Sequence, residues 1–181
     1  MLFRSFLNVS PSTPLEVLET EFPARVTKFE WIEDSAGPGR YRGGVGNRKE
    51  YEMLGEATLT LRLGHQFHFS GWGVFGGKAP RPMQVWLNYG SDRQEALKPL
   101  HTIRLNPGDR FMIEMAGGGG YGSPLERDPE AVLRDVRRGY VSREAAEREY
   151  GVVLDSARAS VDMELTAELR NRSQSAQKAA A

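Results

Sequence analysis

The side chains best placed to do chemistry in this chain sit among glycines. The stretch DSAGPGRYRGGVGNRKEYE sets Arg40, Arg42, Arg48 and Lys49 in a bare backbone. Guanidinium forks beside uncovered amides suit a carboxylate or a phosphate held bidentately. The same residues would also serve as ordinary charges on a solvated turn. The glycine run GGGGYGSP raises a phosphate cradle, since Gly117 and Gly122 have the P-loop spacing. Ser123 stands where the phosphate-reaching lysine belongs and Pro124 follows it, so that reading is rejected. GWGVFGG matches G-x-G-x-x-G through Gly71, Gly73 and Gly76, but Pro80 and Pro82 block the helix that a dinucleotide site needs. The histidines are His65, His68 and His101. The first two stand three residues apart in strand-like sequence and would face opposite sides there, so no metal is assigned to this chain. Asp34, Ser35 and His101 have no spacing that makes a catalytic triad.

Composition narrows the classes. The 181 residues balance 24 basic against 24 acidic side chains, which disfavours nucleic acid as a partner. Cysteine is absent, which removes disulfides, thiol nucleophiles and thiolate zinc sites. No apolar run approaches the roughly 18 residues that span a bilayer. The expectation is a cytoplasmic protein with no membrane contact. Of the 20 glycines, 14 fall in three short windows: 37–46, 71–77 and 117–122. Three shaped loops on one scaffold are expected.

The scaffold reads as strands, then helices. ATLTLRLG alternates Ala57, Leu59, Leu61 and Leu63 against polar residues, and MQVWLNY puts Met83, Val85, Leu87 and Tyr89 on one face. TIRLNPGDRFMIEM is strand, turn, strand: Pro107 and Gly108 turn the chain, and Phe111, Ile113 and Met115 resume the apolar alternation. ARVTKFEWIE and RKEYEML are weaker strands. Asp128 then caps a helix with Pro129 at its first position, Val132, Leu133 and Val136 on its apolar stripe, and Gly139 at its end. Ser142 caps a second helix that Gly151 stops. A third helix is expected from about Ser156 to Arg170 on Val161, Leu165 and Leu169, followed by a disordered NRSQSAQKAAA tail. The fold class is therefore α+β: mainly an antiparallel β sandwich or irregular barrel with Gly-rich loops (1–125), a helical hairpin packed on it (126–155), and a helix with a tail (156–181), in a single domain.

DSAGPGRYRGGVG, GWGVFGGKAP and GGGGYGSPLERDPEAVLRDVRRGYVSREAAEREYGVVLD, in this order, closely resemble the C-terminal part of the hydantoinase B/oxoprolinase family. STPLEVLETEFPARV resembles the segment just upstream, so the likeness runs from Ser12 to Asp155. Ala36 and Ser123 depart from the family's usual glycine and aspartate. The resemblance implies a hydrolase of cyclic amides such as 5-oxoproline or hydantoins, with carboxylases among its relatives. It implies a hydantoinase A-like subunit that uses ATP to phosphorylate the substrate carbonyl, and a hydantoinase B protein that holds a divalent metal. Hydantoinase B proteins are several-fold longer than this chain. The expected partners are therefore the hydantoinase A-like subunit, the N-terminal part of the hydantoinase B protein and the small cyclic amide, in a hetero-oligomer. This chain alone is expected to be inactive, binding neither ATP nor metal itself. A non-catalytic assembly module of a related carboxylase or hydrolase is the alternative. The resemblance puts Asp34, Arg40, Arg42, Gly43, Gly44, Gly76, Gly77, Gly118, Gly119, Gly120 and Tyr121 at or near the site, in shaping and anion-contacting roles; no catalytic residue is assigned. The bare amides of the glycine run are expected to let a ligand or a partner protein approach closely.

Overall fold

The computed structural model describes residues 14–62, 66–155 and 160–179. Helix α1 (Leu15–Glu21) leads into strand β1 (Ala24–Trp31). Strands β2 (Asn47–Met53), β3 (Ala57–Thr60), β4 (Gln84–Leu87), β5 (Glu95–Ala96), β6 (Thr102–Leu105) and β7 (Arg110–Glu114) follow. The C-terminal third holds helices α2 (Pro129–Arg137) and α3 (Arg143–Tyr150), the short strands β8 (Val153–Leu154) and β9 (Val161–Asp162), and helix α4 (Met163–Ala179). The protein is α+β, built on an antiparallel five-stranded sheet in the order β1-β2-β7-β4-β5.

Pro107 and Gly108 do turn the chain, with Gly108 at φ +85°. The turn does not make a hairpin. β6 pairs with β3, whereas β7 pairs with β2 and β4, so the turn carries the chain from one sheet to another. Phe111, Ile113 and Met115 of the β7 segment pack among Leu59, Leu87, Ile103 and the buried Val85 and Leu105. They are only partly buried. Met112 and Glu114, on the opposite face, are the fully buried residues of β7. A central strand is covered on both faces, which an alternation rule for half-exposed strands does not foresee.

The alternation expected for MQVWLNY holds through Leu87 and then stops. Asn88 takes a left-handed conformation at φ +49°, and its side chain accepts from the Arg110 amide at 2.9 Å. Tyr89 is thereby turned out of the core, and its ring lies 5.8 Å from that of Trp86. Leu63 of the best strand pattern lies outside the described residues. Helix α1 was not expected; Pro14 sits at its N-cap without a side-chain cap, and Glu16 lies in its first turn, where the dipole favours a negative charge.

The helical signals act locally as expected. Asp128 accepts from the Glu130 amide, and Ser142 accepts from the Ala145 amide at 3.0 Å. Gly139 and Gly151 take φ +69° and +61° at the two helix ends. Val132, Leu133, Val136, Val141, Ala146, Tyr150 and Val152 make one buried cluster.

The third helix differs from expectation. Residues 156–159 lie outside the described residues, and α4 begins at Met163, with Asp162 accepting from the Leu165 amide. Val161 belongs to strand β9, and Leu165 is exposed. Polar contacts dock this helix instead. Buried Thr166 accepts from the Val153 amide at 3.0 Å, and Arg170 donates to the carbonyls of Tyr150 and Arg127. The stretch expected to be disordered continues the helix through Ala179. Alanine, glutamine and lysine have good helix propensity, which outweighs Ser173 and Ser175, whose hydroxyls bond back to the carbonyls four residues earlier.

Candidate functional site

The three glycine loops meet. The four-glycine run threads between the loop 34–46 and the loop 71–78, and the three are joined through their backbones. The Gly37 amide donates to Gly118 (2.8 Å), Gly118 to Gly44 (2.9 Å), Gly120 to Lys78 (3.0 Å), Val74 to Gly120 (2.9 Å) and Lys78 to Pro38 (2.7 Å). Tyr41 and Tyr121 exchange both amide bonds, at 2.9 and 3.0 Å. Such packing leaves no room for side chains. A Cβ at Gly119 would collide with the Trp72 carbonyl, one at Gly120 with the Pro38 carbonyl, and one at Gly43 with the Gly118 carbonyl, each inside the 3.0 Å that Cβ atoms essentially never enter. Glycine is needed here for close approach.

For two glycines of the run this geometry corrects the expectation of bare amides. The N–H groups of Gly118 and Gly120 are already used within the knot, so these amides are not free to cradle an anion.

The predicted site residues divide by what they touch. Gly43, Gly77, Gly118, Gly119 and Gly120 lie inside the knot, Gly44 opens to solvent, and Gly76 sits at φ +88° on the tip of the 74–77 turn. Asp34 takes φ +57°, donates its amide to Tyr140 and accepts from the Ser142 amide at 2.8 Å. It ties the first loop to the helical hairpin. Arg42 turns inward: it grips Asp135 at 2.9 and 3.2 Å and stacks over Tyr140 at 5.3 Å. Arg127 donates to the same carboxylate at 2.8 Å, making a charge triad with side chains 14%, 8% and 14% exposed for Arg42, Asp135 and Arg127. Arg48 is committed to the buried Glu114, which also binds Arg81. Arg40 stays at the surface, 3.8 Å from Glu126 and over the Tyr41 ring.

Beside the knot lies a cleft of about 410 Å³ between the two flanking loops and helix α3. Asp34, Lys78, Arg81, Tyr140, Arg148 and Glu149 are among its walls. Glu149 takes Lys78 at 2.7 Å and Arg148 at 2.8 Å. Burial pushes its carboxyl up, but these two hydrogen bonds outweigh burial and hold it below the ordinary carboxylate range. It is thus an ionised anchor at neutral pH. The cleft offers fixed charges for orienting a polar ligand. Lys78, Arg148 and Glu149 were missed from sequence; the only signal was their position, one residue past the second loop and at the end of the capped helix.

Among the described residues no three His, Asp or Glu side chains gather as a metal site would need, and His65 lies outside them. Among the described residues no helix is long and apolar enough to cross a membrane.

Comparison with known proteins agrees with the loops. The profile of the hydantoinase B/oxoprolinase family matches residues 4–124. An uncharacterized protein of Methanocaldococcus jannaschii is 37% identical over 88% of this chain and 28% of its own length. The caprolactamase beta subunit of Pseudomonas jessenii is 34% identical over 80% of this chain and 26% of its own. The crystal structure of ATP-dependent caprolactamase from that organism superposes with a TM-score of 0.77 at 33% identity, over 88% of this chain and 28% of that one. A nucleotide-free acetone carboxylase shares the fold, with a TM-score of 0.77 at 22% identity over 95% of this chain and 27% of that one. The chain thus spans little more than a quarter of the length of these relatives.

Proposed function

Since this chain belongs to the hydantoinase B/oxoprolinase family, we propose that it is the C-terminal region or small subunit of an ATP-dependent hydrolase of cyclic amides. The observation that carries the reading is the likeness to caprolactamase, at 33% identity and a TM-score of 0.77. It puts hydrolysis ahead of carboxylation, because the caprolactamase beta subunit is 34% identical to this chain whereas the acetophenone carboxylase delta subunit is 29% identical. A ring amide is a poor electrophile. Transfer of a phosphoryl group from ATP to its carbonyl oxygen makes the ring carbon electrophilic; water adds there, the C–N bond breaks as the ring nitrogen leaves with a proton, and a second water releases phosphate from the resulting acyl phosphate to leave the carboxylate. In this reading a hydantoinase A-like partner uses the ATP, and the N-terminal part of the hydantoinase B protein supplies the metal. This chain contributes one wall. Asp34, Arg40 and Tyr121 stand at the rim of the knot, with Lys78 and Arg148 orienting polar groups in the cleft, while Gly43, Gly44, Gly76, Gly77 and Gly118 to Gly120 give the wall its shape.

The test is reconstitution. The chain is purified with the proteins encoded beside it, and ATP-dependent opening of caprolactam, 5-oxoproline and a hydantoin is measured with and without it. Activity that requires the chain is the expected result; equal activity in its absence refutes the proposal. A second reading, a non-catalytic assembly module, is favoured by the internal commitment of the loop amides, Arg42 and Arg48. It expects the chain to raise the stability of the complex without changing KM.

A further inference from the structure

Each glycine loop also carries an aromatic residue, and the three meet at one point on the surface. Tyr121 lies with its ring 6.1 Å from that of Tyr41 and 5.2 Å from that of Phe75. The residues are 50%, 62% and 77% exposed for Tyr121, Tyr41 and Phe75. Phe75 sits in the left-handed region at φ +52°, followed by Gly76 at φ +88°, in a turn closed by the Gly77 amide on the Val74 carbonyl. A bulky residue is unfavourable there, and the fold recovers nothing by burying the ring. Trp72 and Val74 of the same loop are exposed too.

We propose that this aromatic knuckle is the docking point for the polypeptide that corresponds to the rest of the relatives' length, the part this chain does not span. The inference rests on the reading of the chain as one portion of a hydantoinase B protein. Two observations favour that occupant. The rings line neither the 410 Å³ cleft nor the 280 Å³ apolar groove beside Phe22, so they stand outward, whereas small ligands sit in concave sites. A two-fold pair of identical chains would set this patch against itself, and the experiment below separates that case. Lastly, the solved caprolactamase chain holds this fold in 28% of its length, so a far larger body of polypeptide is available to cover it. Clustered aromatics rimmed by an arginine, here Arg40 over the Tyr41 ring, have the composition of an interface core and its edge.

The experiment measures binding of the full chain to the tagged polypeptide from the same genome that matches the remaining part of the relatives. Phe75→Asn and Tyr41→Ser are compared with Leu100→Asn, a matched control at φ +56° that is also 77% exposed. Asparagine tolerates the left-handed region, and thermal melts verify that each variant keeps its fold. Loss of about 30-fold in Kd for each knuckle variant, with less than about threefold for the control, is expected for hot-spot residues. Unchanged Kd in both knuckle variants overturns the proposal. So does self-association of the chain that the same two variants abolish, which would make a second copy the occupant. If the unmodified chain does not bind this polypeptide at all, the functional reading itself falls, and the docking surface with it.

Discussion

Gly43 and Gly44 are neighbours in one motif, yet substituting them should have opposite results. A Cβ at Gly43 would fall within 3.0 Å of the Gly118 carbonyl carbon and oxygen. Both are backbone atoms of the central glycine run, so no flexible side chain can yield. Relief needs a retreat of about 1.5 Å, from 1.9 Å to the 3.4 Å at which ordinary contact begins. The Gly118 carbonyl accepts from Gly37 at 2.8 Å and its amide donates to Gly44 at 2.9 Å. The same retreat carries both beyond hydrogen-bonding distance. Two lost backbone bonds at about 1 kcal/mol each, with overpacking of about 1–3 kcal/mol, give a loss of roughly 3–5 kcal/mol for Gly43→Ala. For a chain of this size that lowers Tm by roughly 6–20 °C. At Gly44 a Cβ meets nothing within 4 Å, and φ is not left-handed. Gly44→Ala should stay within about 0.5 kcal/mol of the parent, or gain slightly because alanine restricts the unfolded chain. Urea melts followed by circular dichroism measure both. The close-packing argument is refuted if Gly43→Ala unfolds within about 0.5 kcal/mol of the parent, or if Gly44→Ala loses as much as Gly43→Ala.

Two further outcomes follow from buried polar groups. Asp135→Asn leaves the Arg42 and Arg127 guanidiniums, each 14% exposed, without their shared carboxylate, and should lower stability by about 3–5 kcal/mol in the same melts. A loss below about 1 kcal/mol would show that the triad does little to hold the first loop to the hairpin. Burial pushes the Tyr150 hydroxyl from its ordinary 10 up to about 12. Because the folded value is raised, the stabilisation is complete below pH 10, where neither state ionises, and is lost between pH 10 and 12 as the unfolded chain gives up its proton first. The loss should reach roughly 2–3 kcal/mol, and Tyr150→Phe should remove that part of the alkaline decline; an identical pH profile in the variant would contradict it.

What the sequence revealed and what it hid follow the range of the interactions. Asp128, Ser142, Gly139 and Gly151 act on backbone groups within a few residues, so the helical hairpin was legible down to its caps. The glycine clusters were legible as loops, and their common order identified the family. The destination of Arg42 was hidden, because Asp135 lies 93 residues further along and on a helix whose apolar stripe dominates its pattern. The same distance problem explains β7. Nothing in the residues around Pro107 says that the chain leaves one sheet for another there, and so nothing says that Met112 will be more buried than Phe111. Helix α4 departs from expectation for a different reason. Its leucines suggest an apolar stripe, whereas Thr166 and Arg170 dock it through polar contacts that periodicity does not register.

The knot also limits how this wall can take part in recognition. A glycine loop is commonly credited with offering its amides to a ligand, but the amides of Gly37, Gly118 and Gly120 are bonded to the neighbouring loops. Those three amides are therefore not available to a ligand, and side chains at the rim supply further contacts. Those side chains are mechanically joined. Phe75 and Lys78 stand three residues apart on one loop, and the Lys78 amide is bonded to the Pro38 carbonyl of the loop that carries both Asp34 and Tyr41. The aromatic knuckle and the charged cleft are two faces of one backbone unit with few internal degrees of freedom. A polypeptide seated on Phe75 and Tyr41 would therefore fix the position of Lys78 opposite Glu149 as well. That link gives a reason for a glycine-built wall: three loops that touch backbone to backbone move as one piece, whereas loops separated by side chains could shift independently.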